Sequence, residues 1–154
     1  MPVEKLRDFL DGKGAKYVAI SHSLAYTAQE VAASAHIHGK QLAKSVIVQL
    51  DKRFVMAVLP ANYRVDQEKL KKAAGVKEVK IASEDEFVRL FPGCALGAMP
   101  PFGNLYDMDV WVDRSLTEDE EIVFNARSHT ELVKLSYKDY EKLVNPRIAE
   151  FSSR

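Results

Sequence analysis

The stretch Lys44–Leu59, KSVIVQLDKRFVMAVL, decides the fold, because two runs of strand-forming residues are separated by only two polar positions. Lys44–Leu50 and Arg53–Leu59 are rich in valine, isoleucine and leucine, which suit a pleated and partly buried strand. Asp51 and Lys52 leave room only for a tight hairpin, although the glycine preferred in such turns is missing. We therefore predict two antiparallel strands here, at the centre of a sheet.

The sequence on either side of this hairpin predicts further strands and several short helices. Alternating and β-branched runs predict strands at Lys16–Ser21, Val76–Ala82, Asp107–Val112, Glu121–Asn125 and Glu131–Leu135. Helical spacing and capping residues predict helices that end near Gly12 and Gly14, that follow Thr27, Asp66 and Ser83, and that run from Ser136 to about Val144. This order predicts a single α+β domain over residues 1–154, with a curved mixed β-sheet that approaches a barrel and is flanked by several helices.

Composition limits the class of protein. The chain has 154 residues, 47% of them hydrophobic and 29% charged, which is typical of a globular domain. Because 22 basic residues balance 22 acidic ones, a broad non-specific nucleic-acid binder is excluded, any RNA contact is expected to be local, and DNA is not an expected partner. A single cysteine, a charged N-terminal stretch and no apolar run of membrane-spanning length predict a cytoplasmic protein without a membrane partner.

Two segments have residue types that suit chemistry. Lys44 begins an apolar strand, and at a cleft its charge would suit a phosphate or a carbonyl oxygen that becomes negative; a solvated strand end is the simpler alternative. The loop Gly97–Gly103, GAMPPFG, combines two prolines with two glycines, so it can be stiff and still let a ligand approach main-chain N–H groups. Its apolar Met99 and Phe102 suit a binding wall, and a plain connecting turn remains the alternative.

The histidines give weaker signals. His22 follows the first predicted strand, and His129 lies in the polar tract Asn125–Glu131, so each suits either a ligand-positioning group or a turn. His36 and His38 form a pair without a carboxylate or cysteine at a supporting spacing, so we predict no metal site. The serines lie in no nucleophile-elbow pattern, which gives no support to serine hydrolysis.

Together these segments resemble the YbaK/prolyl-tRNA synthetase-associated domain family, whose members hydrolyse mischarged aminoacyl-tRNA. The resemblance covers nearly the whole chain. It rests on segments that follow one another in the family's order: His22, Thr27–Ala32, Lys40–Val46, Leu59–Ala61, Gly97–Gly103 and Phe124–Thr130. Each segment alone is a weak signal, whereas their conjunction in this order is specific.

The resemblance implies the fold predicted above and a role for each matching residue. Lys44 matches the family's functional lysine, which helps to anchor the substrate and the 3′-terminal nucleotide, so it is the predicted catalytic residue. Gly97 and Pro101 match the G-x-x-x-P loop that positions the aminoacyl ester.

Three further residues match substrate-binding positions near the family's pocket, less closely than the lysine and the loop do. These are His22, Asn125 and His129. Arg127 stands where many relatives have glycine, a departure that affects the connection between two strands and the rim of the pocket.

The function that the resemblance implies is that of a free-standing aminoacyl-tRNA hydrolase, removing a small amino acid such as alanine, serine or threonine from mischarged tRNA. Water would attack an already activated ester with help from the vicinal ribose hydroxyl, and without metal, cofactor or covalent intermediate. The implied partners are the acceptor 3′ end of the mischarged tRNA and, as one candidate, an aminoacyl-tRNA synthetase. Two alternatives stay open: a non-catalytic module that binds a nucleotide or acceptor end beside a synthetase, and a hydrolase of free esters. The sequence does not decide the amino acid, the tRNA or the oligomeric state.

Overall fold

The computed structural model describes residues 9–14, 17–21, 42–61, 63–83, 85–86, 89, 101–106, 108–118, 120–125 and 131–153. Its strands are β1 (Tyr17–Ser21), β2 (Leu42–Leu50), β3 (Arg53–Pro60), β4 (Arg64–Val65), β5 (Val79–Ile81), β6 (Val110–Asp113), β7 (Glu121–Asn125), β8 (Glu131–Ser136), β9 (Arg147–Ala149) and β10 (Ser152–Ser153). Its helices are α1 (Gln67–Ala74) and α2 (Tyr137–Val144), with 3-10 turns at Gly103–Tyr106 and Arg114–Glu118. Residues 9–12, 85–86 and 89 are also helical.

The main sheet is mixed, as predicted, and the hairpin is at its centre. Seven strands follow the order β1-β8-β7-β2-β3-β6-β9, and β5 pairs with the far end of β2. The pairs β2–β7, β3–β6 and β6–β9 are parallel, while β2–β3, β7–β8, β1–β8 and β2–β5 are antiparallel. Within the described part of the chain the strand order is an open path, so the sheet stops short of a closed barrel.

The hairpin turn forms without glycine because the Asp51 side chain stabilises it. Asp51 takes φ 56, in the left-handed region that aspartate tolerates better than most residues. Its carboxylate accepts hydrogen bonds from the backbone N–H groups of Lys77 and Glu78, at 3.1 and 3.0 Å. The predicted strand Val76–Ala82 is consequently shorter than expected, since two of its N–H groups bond to this side chain and pairing with β2 begins only at Val79.

The predicted helix caps are confirmed where they are described. Asp66 accepts from the Lys69 N–H at 3.1 Å at the start of α1, and Gly75 ends that helix at φ 67. Ser136 caps α2 in the same way, accepting from the Asp139 N–H. Ser83 and Glu86 bond each other reciprocally, as a capping box does. The capping box predicted at Thr27 and Glu30 lies outside the described residues.

Some strands differ from the predictions. The strand predicted at Asp107–Val112 begins three residues later, as β6, and β4, β9 and β10 were not predicted. These three strands have only two or three residues each, too few to show a period of two. They form because other strands supply their hydrogen-bond partners. β9 pairs with the longer strand β6, and the short strands β4 and β10 pair with each other.

Alternating side chains along β2 separate two hydrophobic clusters. One cluster includes Ala43 and Ile47 and is rich in rings: Phe102, Phe124, Tyr137 and Tyr140. We call this side of the sheet the aromatic face. The opposite side, here the lysine face, carries the even-numbered positions of β2 from Lys44 to Leu50 and the cluster of Leu59, Tyr63, Leu70, Trp111 and Phe151.

Candidate functional site

Lys44 is the third residue of β2 and lies on the lysine face, opposite Leu59 of β3. Its side chain is half-buried. Burial lowers the pKa of the Lys44 amine below 10.5, and the positive charge of Arg64 lowers this pKa further. Among the described residues, Lys44 forms no ion pair with a carboxylate. It is therefore a partly desolvated cation whose charge this part of the protein leaves uncompensated.

Arg64 brings a second positive charge to the same place. The chain leaves β3 at Pro60 and turns back at once: the Ala61 N–H donates to the Leu42 carbonyl at 2.7 Å, next to the start of β2. β4 follows this turn, so the exposed Arg64 stands near Lys44. In the described part of the chain Arg64, too, has no carboxylate partner. Two neighbouring cations without an acid between them favour an anionic ligand such as a phosphate.

The termini of three other strands, β7, β1 and β8, lie at the same end of the sheet as Lys44. β7 pairs with the start of β2 through Ala43 and Phe124, so one further step places Asn125 beside Lys44 in the backbone. β1 ends at Ser21, which pairs with the first residue of β8, Glu131.

Two of the predicted binding residues are sequence neighbours of these strand ends. His22 directly follows β1, and His129 comes two positions before β8; both lie outside the described residues, as does the side chain of Asn125. Their predicted roles stay predictions.

Pro101 is buried, and its carbonyl is fixed from the aromatic face. The Tyr140 hydroxyl donates to this carbonyl at 2.6 Å. The next residue, Phe102, packs edge-to-face against Phe124 and Tyr140, with ring centroids 5.4 Å apart in both pairs. Gly103 is required there, since a Cβ would approach a Val110 methyl group to 2.7 Å. The C-terminal half of the predicted loop is thus held rigidly.

The structure brings Lys44 and Asn125 to adjacent strand ends, since each directly follows a residue of the pair Ala43–Phe124. Pro101 lies near the same strand end but on the aromatic face, where the next residue, Phe102, contacts Phe124. Gly97 lies outside the described residues. Whether the Gly97–Pro101 segment faces the Lys44 amine therefore stays a prediction.

Sequence reasoning missed two residues that matter to this geometry. Arg64 belongs to a two-residue strand that has no pattern of its own, and Tyr140 bonds to a carbonyl 39 positions away. A weaker candidate is Ser45, whose buried hydroxyl has no partner among the described residues. A basic residue shortly after a strand and a tyrosine on an apolar helix face are too common to serve as signals.

A separate cleft of about 530 Å³ lies between Tyr63, Lys69 of α1, β10 and the turn after β6, and Lys44 does not line it. Its buried carboxylate, Asp113, accepts from the N–H groups of Phe151 and Ser115 and from the Ser115 hydroxyl. That carboxylate is therefore occupied in holding the C-terminal segment to β6.

The described residues lack two features, a cluster of metal ligands and a helix that could span a membrane. They include no group of three potential metal ligands, and all four histidines and Cys94 lie outside them, so the prediction of no metal site stays a prediction. No helix in the described ranges has the length and hydropathy that a bilayer-spanning segment needs.

Comparisons with known proteins agree with the resemblance. A family model described as the aminoacyl-tRNA editing domain matches residues 22–143. A multifunctional Ser/Thr-tRNA deacylase, ProXp-y, from Escherichia coli strain K12 is 28% identical over 156 residues, covering 96% of this chain and 91% of that protein. A proline–tRNA ligase from Bacillus cytotoxicus is 30% identical over 88 residues, which are 57% of this chain but only 15% of the ligase.

Solved structures show the same fold. The crystal structure of a candidate trans-editing enzyme for prolyl tRNA synthetase superposes with a TM-score of 0.84 at 21% identity, covering 99% of this chain and 97% of that one. The family match spans most of the chain and includes Lys44, Pro101 and Asn125. The chain belongs to the aminoacyl-tRNA editing domain family.

Proposed function

We propose that the protein is a free-standing aminoacyl-tRNA deacylase that removes a small amino acid from mischarged tRNA. The observation that carries this proposal is the pair of cations, Lys44 and Arg64, which lacks an acidic partner among the described residues at the start of β2. Full-length similarity to a Ser/Thr-tRNA deacylase supports the same activity. An aminoacyl-tRNA end offers both anions that such a pair suits, a phosphate and a carbonyl oxygen that becomes negative during reaction.

The chemistry needs little from the protein beyond positioning and charge. The oxygen of a water molecule attacks the ester carbonyl carbon, the bond from that carbon to the ribose oxygen breaks, and a proton from water ends on the released ribose hydroxyl. Lys44 stabilises the negative charge on the carbonyl oxygen or holds the terminal phosphate, and Arg64 binds the same nucleotide.

Specificity for a small amino acid depends on the size of the pocket. Because one methylene group changes binding by only about 1–3 kcal/mol, a pocket of this kind excludes larger amino acids more easily than it separates alanine from serine. Activity on several small amino acids is therefore expected, which agrees with the plural substrates in the name of the E. coli relative.

The decisive experiment follows the loss of ester from a panel of tRNAs charged with alanine, serine, threonine, proline and a large amino acid. We expect the wild type to hydrolyse at least one small aminoacyl ester, and Lys44→Ala to reduce that rate at least about a hundredfold, the usual effect of losing a charge-stabilising group. Lys44→Arg, which keeps the charge, should retain more activity than Lys44→Ala.

The matched control is Lys138→Ala, which removes an exposed lysine on α2 and should leave the rate unchanged. If no member of the panel is hydrolysed faster than in buffer, the deacylase proposal is wrong. Saturable binding of charged tRNA without turnover would then favour the non-catalytic module, and equal rates on free amino-acid esters would favour a small-ester hydrolase.

A further inference from the structure

A second concave site lies at the other end of β2, on the same lysine face. It is a cavity of about 190 Å³ lined by Leu50, Arg53, Val55, Ala74, Val76, Asp109, Trp111 and Arg147, and we call it the tryptophan cleft. Lys44 and Leu50 are six residues apart on one strand, so the cleft is roughly 20 Å from Lys44 at about 3.3 Å per residue. One extended ligand can contact both sites at once, whereas a single nucleotide is too short to do so.

The floor of the tryptophan cleft is apolar and its rim is cationic. Leu50, Val55 and Val76 lie beside the indole of Trp111, and the Arg147 guanidinium is 5.6 Å from the centre of that ring. Arg53 forms an ion pair with Asp109 at 3.0 Å, with side chains that are 71% and 51% exposed. An exposed pair of this kind contributes little to stability, so either partner can exchange its contact for a ligand.

Charge around the tryptophan cleft differs from that of the whole chain. Residues 50–55, 71–80, 109–111 and 147, which contain the eight lining residues and their neighbours in sequence, include three acids: Asp51, Glu78 and Asp109. The same segments include seven basic residues: Lys52, Arg53, Lys71, Lys72, Lys77, Lys80 and Arg147. Because the net charge of the chain is zero, this is a local positive region on a neutral protein, and it fits a polyanion that touches the surface at one place.

We propose that the tryptophan cleft is a second RNA-contact site, in which one base of the substrate's acceptor strand lies against the apolar floor and Arg53 and Arg147 bind the adjoining phosphates. This inference rests on the proposed function, which supplies the RNA. A cavity of this size is smaller than the roughly 300–1,000 Å³ of drug-sized sites, so it accepts one ring system and not a whole nucleotide. Trp111 is only 8% exposed, so the ligand meets an edge of the indole beside two cations, and aromatic groups next to cations suit single-stranded nucleic acid that is bound without reading its sequence.

The test uses the tryptophan itself, because Trp111 is the single tryptophan of the chain and its fluorescence reports on this cleft alone. Uncharged tRNA titrated into the wild type should change the emission saturably. Arg147→Ala should weaken the tRNA affinity about five- to tenfold and lower the slope of log Kd against log salt by about one. Arg147→Lys should recover the salt slope but not the full affinity, and Lys138→Ala should behave as the wild type does.

A second measurement separates this inference from the proposed function. The wild type's preference in kcat/KM for aminoacyl-tRNA over aminoacyl-adenosine, which is too short to reach from Lys44 to the cleft, should shrink by about the same five- to tenfold in Arg147→Ala. Deacylation with an unchanged preference and an unchanged Kd would overturn the RNA-contact site while leaving the deacylase intact. Emission that does not respond to tRNA, or that responds instead to an unrelated acidic peptide, would also overturn it.

Discussion

One tyrosine on the aromatic face and two cations on the lysine face differ in how they are compensated. On the aromatic face the Tyr140 hydroxyl is fully buried, yet it has a short hydrogen bond to the Pro101 carbonyl, and burial holds the pKa of its phenol well above 10.0, so it stays a donor. On the lysine face the half-buried Lys44 and the exposed Arg64 are close together, and no carboxylate among the described residues compensates them. A satisfied buried group stabilises the fold, whereas an uncompensated charge costs stability and is available to a ligand. The difference assigns a supporting role to Tyr140 and anion binding to Lys44 and Arg64.

The largest expected effect tests the support that we assign to the aromatic face. Tyr140→Phe keeps the ring that packs on Phe102 but leaves the buried Pro101 carbonyl without its donor, which should lower the free energy of unfolding by about 2 kcal/mol. Urea denaturation measures this loss. Tyr17→Phe is the matched control, since it also removes a hydroxyl, here one that bonds to the exposed carboxylate of Asp11. Equal losses in the two variants would contradict a special role for the Tyr140 bond.

Some of the interactions that stabilise the fold could be predicted from the sequence, and others could not. The hairpin, the caps at Asp66 and Ser136, and strand β7 depend on interactions within a few residues, so local patterns were sufficient to locate them. The bond from Tyr140 to Pro101 joins residues 39 positions apart, and no local pattern contains it. Long-range contacts of this kind fix the shape of a site and are the part of a fold that a single sequence shows least.

The candidate site likewise contains one cation that could be predicted from the sequence and one that could not. Lys44 could be predicted because the family resemblance marks it, while Arg64 could not, because it approaches Lys44 only through the tight turn after Pro60. That the Gly97–Pro101 segment faces Lys44 stays a prediction, because Gly97 lies outside the described residues and the Pro101 carbonyl is held on the aromatic face.

The next effect concerns the second cation of the lysine face. Arg64→Gln should raise KM for aminoacyl-tRNA about tenfold, which corresponds to about 1.4 kcal/mol, because one charge-assisted contact to the terminal nucleotide is lost. Steady-state deacylation measures this change. Arg64 also lowers the pKa of Lys44, so its removal should shift the alkaline limb of the pH–rate profile to higher pH. Arg114→Gln, at another exposed arginine, should change neither quantity, and an unmoved alkaline limb in Arg64→Gln would contradict the coupling of the two cations.

The smallest expected effect is on the stability of a variant that has no activity. Lys44→Met keeps the length of the side chain and removes its charge, so the free energy of unfolding should rise at pH 7, by less than about 1 kcal/mol because solvent screens the half-exposed amine, although hydrolysis is lost. The sign follows from the lowered pKa of Lys44: the unfolded chain holds this proton more tightly than the folded protein does, so the charge destabilises the fold at neutral pH.

That cost has a defined pH dependence. It should diminish as the pH rises through the lowered pKa and disappear only above 10.5, where the lysine is neutral in both states and the charge advantage of methionine is gone. Urea denaturation of both proteins at pH 7 and pH 10 measures the difference between these conditions. A methionine variant that is less stable than the wild type at pH 7 would contradict an uncompensated charge at Lys44.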